Sequence, residues 1–209
     1  MLVIELLAAA LVSSWVALVA WDLAVSHRLA KALSALADDI TLFGVPCRVS
    51  PELGTDAFVV GPFRPRVFVG ASLLAAFSED ELESVVYHED HHRRTRAPLR
   101  AAALGAWLRL LGRSDSVRDV ILDRLADLET LADADALRRG SSPGSLARAL
   151  LKGDASVRPV AFSYAAERRV ERLLRRAAGI PVDASCRLPY EWLPVALLGL
   201  ATIGCHAGL

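Results

Sequence analysis

The sequence predicts a mainly α-helical domain with a small β-hairpin, flanked by an apolar helix at each end of the chain. The 209 residues are 54% hydrophobic with a mean hydropathy of +0.37, and the apolar residues concentrate at the two ends. Capping signals between these ends indicate helices. Only two short runs, residues 57–60 and 67–69, have the composition of strands.

The first apolar run extends from Met1 to Val25 and is interrupted only by Glu5 and Asp22. A helix that crosses a bilayer needs about 20 apolar residues, and this run is long enough. A signal peptide requires basic residues before its apolar part, whereas the first basic residue here is Arg28. We therefore expect a membrane helix over residues 1–27, with a cleaved signal or a buried core helix as the alternatives.

A second apolar run, residues 192–209, contains no charged residue and predicts a C-terminal membrane helix. Basic residues flank the inner side of both runs, because Arg28 and Lys31 follow the first and Arg187 precedes the second. The positive-inside rule therefore places residues 28–191 on the cytoplasmic side of the cell membrane. The alternative is a soluble protein in which the first run is a core helix.

The charge balance and the cysteines exclude several classes of protein. Lys plus Arg and Asp plus Glu both number 24, whereas nucleic-acid-binding chains are usually strongly basic, so no nucleic-acid partner is expected. Cys47, Cys186 and Cys205 lie far apart and form no CxxC motif. This pattern argues against a disulfide scaffold and against a cysteine-based zinc site.

The middle of the chain begins with a predicted hairpin, whose turn contains Gly61, Pro62 and Pro65. Ser78 and Glu81 then form a capping box, and the helix that starts there should end near Pro98.

Three further helices are predicted after this one. Residues 97–111 are apolar but contain two arginines, so they form either a core helix or a helix on the membrane surface. The next helix starts near residues 114–116 and ends at Arg139, with Gly140 behind it and residues 141–144 as a loop. The last helix spans residues 163–178.

The capped helix contains the motif HExxH, formed by His88, Glu89 and His92. Residues four apart on a helix lie about 40° apart around its axis, so both imidazoles can bind one Zn²⁺. Glu89 lies near enough to hold a water molecule as a general base. His91 projects away from the pair. The alternative is a charged, solvated helix end that happens to be rich in histidine.

A catalytic zinc site needs a third protein ligand. Glu129 lies beside the apolar face of the following long helix, where a carboxylate needs a partner. Asp133, one turn later, can accept a hydrogen bond from a ligand histidine. Glu167 and Glu171 compete for the ligand role, although ion pairs with neighbouring arginines also explain them. A plain acidic helix face remains an alternative for the whole segment.

Three blocks of the sequence occur in an order found in a known group of enzymes: PFRPRVFV, then ESVVYHEDHH, then LETLADADALRRG. Over about residues 45–176 the chain resembles the membrane-bound gluzincin metallopeptidases, most closely the BlaR/MecR-type peptidase domains. The heat-shock-type and prenyl-protein-processing membrane proteases share the same elements.

This resemblance implies a minimal gluzincin-type zincin domain over residues 28–191. It implies zinc ligation by His88, His92 and Glu129, with Glu89 as general base and Asp133 orienting a ligand histidine. It also implies that an edge strand binds the substrate backbone, a role for which Val67, Phe68 and Val69 are the candidates.

The leading hypothesis is a membrane-anchored zinc endopeptidase, with a protein or peptide substrate, a regulator and membrane lipid as its expected partners. The alternatives are a catalytically silent protease-fold regulator, a metal-binding membrane adaptor, or a small helical membrane protein without a metal.

Overall fold

A computed structural model describes residues 2–153 and residue 173, and in this part the chain is mostly helical with one small sheet. Four sequence predictions lie outside the described residues: the helix over 163–178 apart from residue 173, the membrane helix over 192–209, and the competing carboxylates Glu167 and Glu171.

The elements follow one another as α1 (Leu2–Ala35), β1 (Asp38–Leu42), β2 (Val45–Ser50), a 3₁₀ turn (Pro51–Leu53), β3 (Ala57–Val60), β4 (Arg66–Gly70), α2 (Ala71–Ala76), α3 (Glu79–Arg94), α4 (Ala97–Leu111), α5 (Asp115–Arg138) and α6 (Pro143–Gly153).

Helix α1 has an apolar part and a part that packs on the sheet. This helix is long and apolar enough to cross a membrane, and its most apolar part is only 11% buried. No other helix within residues 2–153 is both long and apolar enough to do so. The helix continues past residue 27 to Ala35, and Leu33 near its end packs against Phe68 of the sheet.

Helix α4 is packed between α1 and α5, as expected of a core helix. Trp15 of α1 stacks on Trp107 with the ring centroids 5.5 Å apart, and its Nε1–H donates to the carbonyl oxygen of Ala103 over 3.1 Å. Asp22 and Arg109 form an ion pair in the same interface. These contacts join the apolar helix α1 to the helical layer that carries the candidate site.

The sheet has the strand order β1-β2-β4-β3, with β2 and β4 parallel and the two outer pairs antiparallel. The predicted hairpin is confirmed as β3–β4. The expectation that Val67, Phe68 and Val69 form an edge strand is wrong, because β4 pairs with β2 on one side and with β3 on the other. All three residues have no exposed surface, and the backbone of β4 has no free edge for a substrate.

The capping box at the start of α3 is confirmed, with the backbone N–H of Ser78 donating to Glu81 Oε2 over 3.0 Å. The helix ends at Arg94 rather than near Pro98. Arg96 takes a left-handed conformation with φ of 53°, and Pro98 lies in the first turn of α4, where its missing N–H costs no hydrogen bond.

The predicted end of α5 is confirmed, because Gly140 follows the helix with φ of 115°. The loop predicted over residues 141–144 is shorter than expected. Helix α6 already begins at Pro143, a residue suited to the first helical position. Ser142 caps it by accepting a hydrogen bond from the backbone N–H of Ser145 over 2.9 Å.

Candidate metal centre

The candidate ligands come from two helices that pack against each other. His88 and His92 lie one turn apart on α3, and Glu129 and Asp133 lie one turn apart on α5. The four residues are only 5–8% exposed, although all four are polar. Buried polar groups of this kind require hydrogen-bonding or metal-binding partners.

Three of these side chains converge on one point. Nε2 of His88 lies 3.0 Å from Nε2 of His92, and the two nitrogens lie 3.4 Å and 3.3 Å from the carboxylate oxygens of Glu129. Tetrahedral zinc, with bonds of about 2.0–2.1 Å to nitrogen and oxygen, separates its ligand atoms by about 3.3 Å. The triangle formed by His88, His92 and Glu129 therefore has the size of a metal site.

Asp133 determines which nitrogen of His88 faces this triangle as an acceptor. Its Oδ1 lies 2.9 Å from His88 Nδ1, so the imidazole proton is held on Nδ1 by the carboxylate. The lone pair of Nε2 then points to the centre of the triangle. A lone pair in that position favours a cation among these ligands.

His92 is held differently. Its ring lies nearly perpendicular to that of His88, at 84° and 4.6 Å between centroids, and 6.2 Å from that of His91. Its Nδ1 is buried and has no hydrogen-bond partner among the described residues. Within the described residues, the contact of His92 with a carboxylate is therefore made by Nε2, which faces Glu129, and not by Nδ1.

His91 does not join the triangle, as the sequence predicts. Its Nδ1 faces Asp135 at 3.5 Å instead. Burial lowers the pKa of His91, although the charge of Asp135 acts in the opposite direction. His91 is therefore on the side of α3 that faces the end of α5.

Glu89 lies between the two candidate ligands along α3 and is half-buried. It is close enough to Cys47 on β2 for its charge to affect the thiol. Burial, then the carboxylate of Asp90 and, less strongly, that of Glu89 raise the pKa of Cys47 to about 11. The thiol therefore stays protonated at neutral pH.

Sequence reasoning missed a set of charged residues next to this site. Asp90 of α3 accepts a hydrogen bond from Arg139 over 2.7 Å, and Arg94 of α3 forms an ion pair with Asp135 of α5. We call these four residues the inter-helix clamp. The spacing of four residues between Asp90 and Arg94, and between Asp135 and Arg139, suggests only pairs within each helix.

The chain has no match among protein-family models, curated proteins or solved structures.

Proposed function

We propose that this protein is a membrane-anchored, zinc-dependent endopeptidase. The observation that carries the proposal is the buried triangle of His88, His92 and Glu129, in which the ligand atoms lie 3.0–3.4 Å apart. Two imidazoles and one carboxylate are a ligand set of catalytic zinc sites, which keep a fourth position open.

Each residue of the site has a distinct role in the proposed reaction. His88, His92 and Glu129 would hold the ion, and Asp133 orients His88 through its Nδ1–H. When bound, Zn²⁺ supplies Lewis-acid chemistry, which acidifies water and polarises a carbonyl group. Glu89 takes the proton of the attacking water and returns it to the amine nitrogen as the carbon–nitrogen bond of the peptide breaks.

The substrate would bind along β3. This strand packs close to α3, and within the described residues it pairs only with β4, so its outer backbone edge is open. An extended peptide can add to such an edge through main-chain hydrogen bonds. This assignment replaces the one predicted for β4.

The exposed apolar surface of α1 supports the membrane anchor. Arg28 and Lys31, which follow the apolar run within α1, support a cytoplasmic site. A single cysteine at Thr55, an exposed turn position, tests this orientation in a chain lacking Cys47, Cys186 and Cys205. It should react with a membrane-impermeant reagent only after cell lysis. Labelling of intact cells would reverse the orientation, and recovery of the protein in the soluble fraction would refute the anchor.

The reaction is tested with Glu89→Gln, which keeps the size of the side chain but cannot accept a proton. The variant should bind zinc in the wild-type ratio, measured by elemental analysis, and should lose hydrolysis of a peptide library. Glu79→Gln, an exposed position on the same helix, is the control and should retain both. Hydrolysis by Glu89→Gln would refute the mechanism, whereas a wild type that binds zinc and cleaves nothing would support a silent metal-binding regulator.

A further inference from the structure

We propose that the inter-helix clamp is a positioning device for the metal centre. In this role Asp90, Arg94, Asp135 and Arg139 set the register between α3 and α5 in which Glu129 meets the two histidines. The inference rests on the proposed metal binding and extends it to residues that touch neither the ion nor the substrate.

The clamp is reciprocal. Each helix contributes one aspartate and one arginine, so that Asp90 of α3 binds Arg139 beyond the end of α5, and Asp135 of α5 binds Arg94 of α3. Both aspartates are buried, at 4% and 8% exposure. Arg139 makes a second contact with α3, since its guanidinium lies 3.8 Å above the centroid of the Tyr87 ring.

Charge neutralisation alone does not explain these contacts. Within its own helix Asp90 already accepts hydrogen bonds from Arg93 over 2.8 Å and from Arg94 over 3.1 Å, and Asp135 accepts one from Arg138 over 2.7 Å. Each aspartate therefore has a cationic partner before the other helix contributes one. The arginine from the other helix adds a geometric restraint between the helices.

The restraint between the helices lies close to the candidate metal ligands. The two clamp aspartates lie within two turns of the candidate ligands, because Asp90 falls between His88 and His92, and Asp135 follows Glu129 by six residues. A slip of one residue along a helix is a shift of about 1.5 Å with a rotation of about 100°. Such a slip would move Glu129 out of the 3.0–3.4 Å triangle.

The chain offers a matched comparison, because each clamp arginine stands beside an arginine whose hydrogen bonds, within the described residues, stay in its own helix. The test variant is Arg94→Gln with Arg139→Gln, and the control is Arg93→Gln with Arg138→Gln. Both remove two positive charges from the surroundings of the same two aspartates. The test variant also loses the hydrogen bond from Arg94 to Asp90 within α3, which the single variants Arg139→Gln and Arg138→Gln leave intact. Zn²⁺ affinity is measured by competition with a chelator, Co²⁺ coordination by the visible spectrum, and stability by thermal unfolding of the metal-free protein.

We expect the test variant to lose about 10–100-fold in Zn²⁺ affinity, as for other residues that orient metal ligands, and the control to stay near the wild type. The intense Co²⁺ absorption of tetrahedral coordination should weaken in the test variant alone. Lysine in place of both clamp arginines should restore part of the affinity. Equal affinities for the test and control variants would overturn the proposal.

The measurements distinguish the absence of a metal centre from the absence of a clamp effect. A wild type that takes up no Zn²⁺ would refute the metal centre itself, and with it the basis of the clamp. If the double variant does not fold, Arg139→Gln is compared with Arg138→Gln in the same assays, with the same expected difference. Equal affinities for these single variants would again overturn the clamp.

Discussion

Glu129→Gln should have opposite effects on the stability of the metal-free and the zinc-loaded protein. The substitution keeps the volume of the side chain and removes a charge that is only 7% exposed. A buried carboxylate that no metal neutralises carries a desolvation penalty of several kcal/mol, and a neutral amide of the same shape avoids this penalty. Without metal, the variant should therefore unfold at the wild-type temperature or above it.

With zinc, the wild type should unfold at a higher temperature than Glu129→Gln. A ligand present at 1,000 times its dissociation constant stabilises the folded state by about 4.1 kcal/mol. For a chain of about 150–250 residues each kcal/mol corresponds to about 2–4 °C, so the wild type should gain about 8–16 °C. The variant should gain almost nothing, because a neutral amide oxygen is a poor replacement for a carboxylate ligand.

The assay is thermal unfolding of chelator-treated protein in detergent, with and without Zn²⁺. Asp127→Asn is the control, because this carboxylate lies on the same helix and bonds with Arg124 within that helix over 3.4 Å. It should keep the full zinc-dependent gain. If Glu129→Gln shows an undiminished zinc-dependent rise in melting temperature, then Glu129 is not a ligand. That result would refute the interpretation of the triangle as a metal site.

Three further changes test other parts of the structure. Asp133→Asn should reduce Zn²⁺ affinity about 10–100-fold while leaving the metal-free melting temperature nearly unchanged, because a neutral amide oxygen holds the proton on His88 Nδ1 less strongly than a carboxylate. Unaltered affinity in chelator competition would contradict this role. Burial works to raise the pKa of Glu81, but hydrogen bonds from Lys152 and the Ser78 backbone outweigh it and lower the pKa from 4.5 to about 2. The ionised carboxylate therefore stabilises the fold fully above pH 4.5, and this stabilisation is lost as the pH falls towards 2. Glu81→Gln should lower the free energy of unfolding by about 1–2 kcal/mol at neutral pH and by progressively less in acid, measured by urea unfolding. Phe68→Ala should destabilise the protein by about 3–5 kcal/mol in the same unfolding assay, since this side chain is fully buried; a loss below about 1 kcal/mol would contradict its place in the core.

The elements that the sequence predicted correctly depend on interactions between near neighbours. The capping box joins Ser78 to Glu81 across three residues, and Gly140 supplies the positive φ that ends α5. The β3–β4 hairpin likewise needs only a turn between two short apolar runs. Such signals are complete within a few residues, so they can be read without knowing what packs against them.

The remaining strands carry no comparable local signal. Phe43 and Gly44 form the tight turn between β1 and β2 with φ values of 49° and 76°, but a phenylalanine is an unusual residue for a positive φ. The parallel pairing of β2 with β4 joins segments separated by another strand. Only the assembled sheet places Val67, Phe68 and Val69 in its centre, because the role of a strand depends on how many neighbours it has.

The candidate site also depends partly on local spacing and partly on tertiary packing. The sequence by itself determined that His88 and His92 share one face of a helix, since their spacing is a property of helical geometry. It narrowed the third ligand to a few carboxylates but could not bring any of them to the histidines. The packing of α5 on α3 decided that Glu129 completes the triangle and that Asp133 meets His88. It also turned Arg94 and Arg139 towards the aspartates of the opposite helix, because side chains far apart in sequence meet only when the tertiary structure fixes the register between their helices.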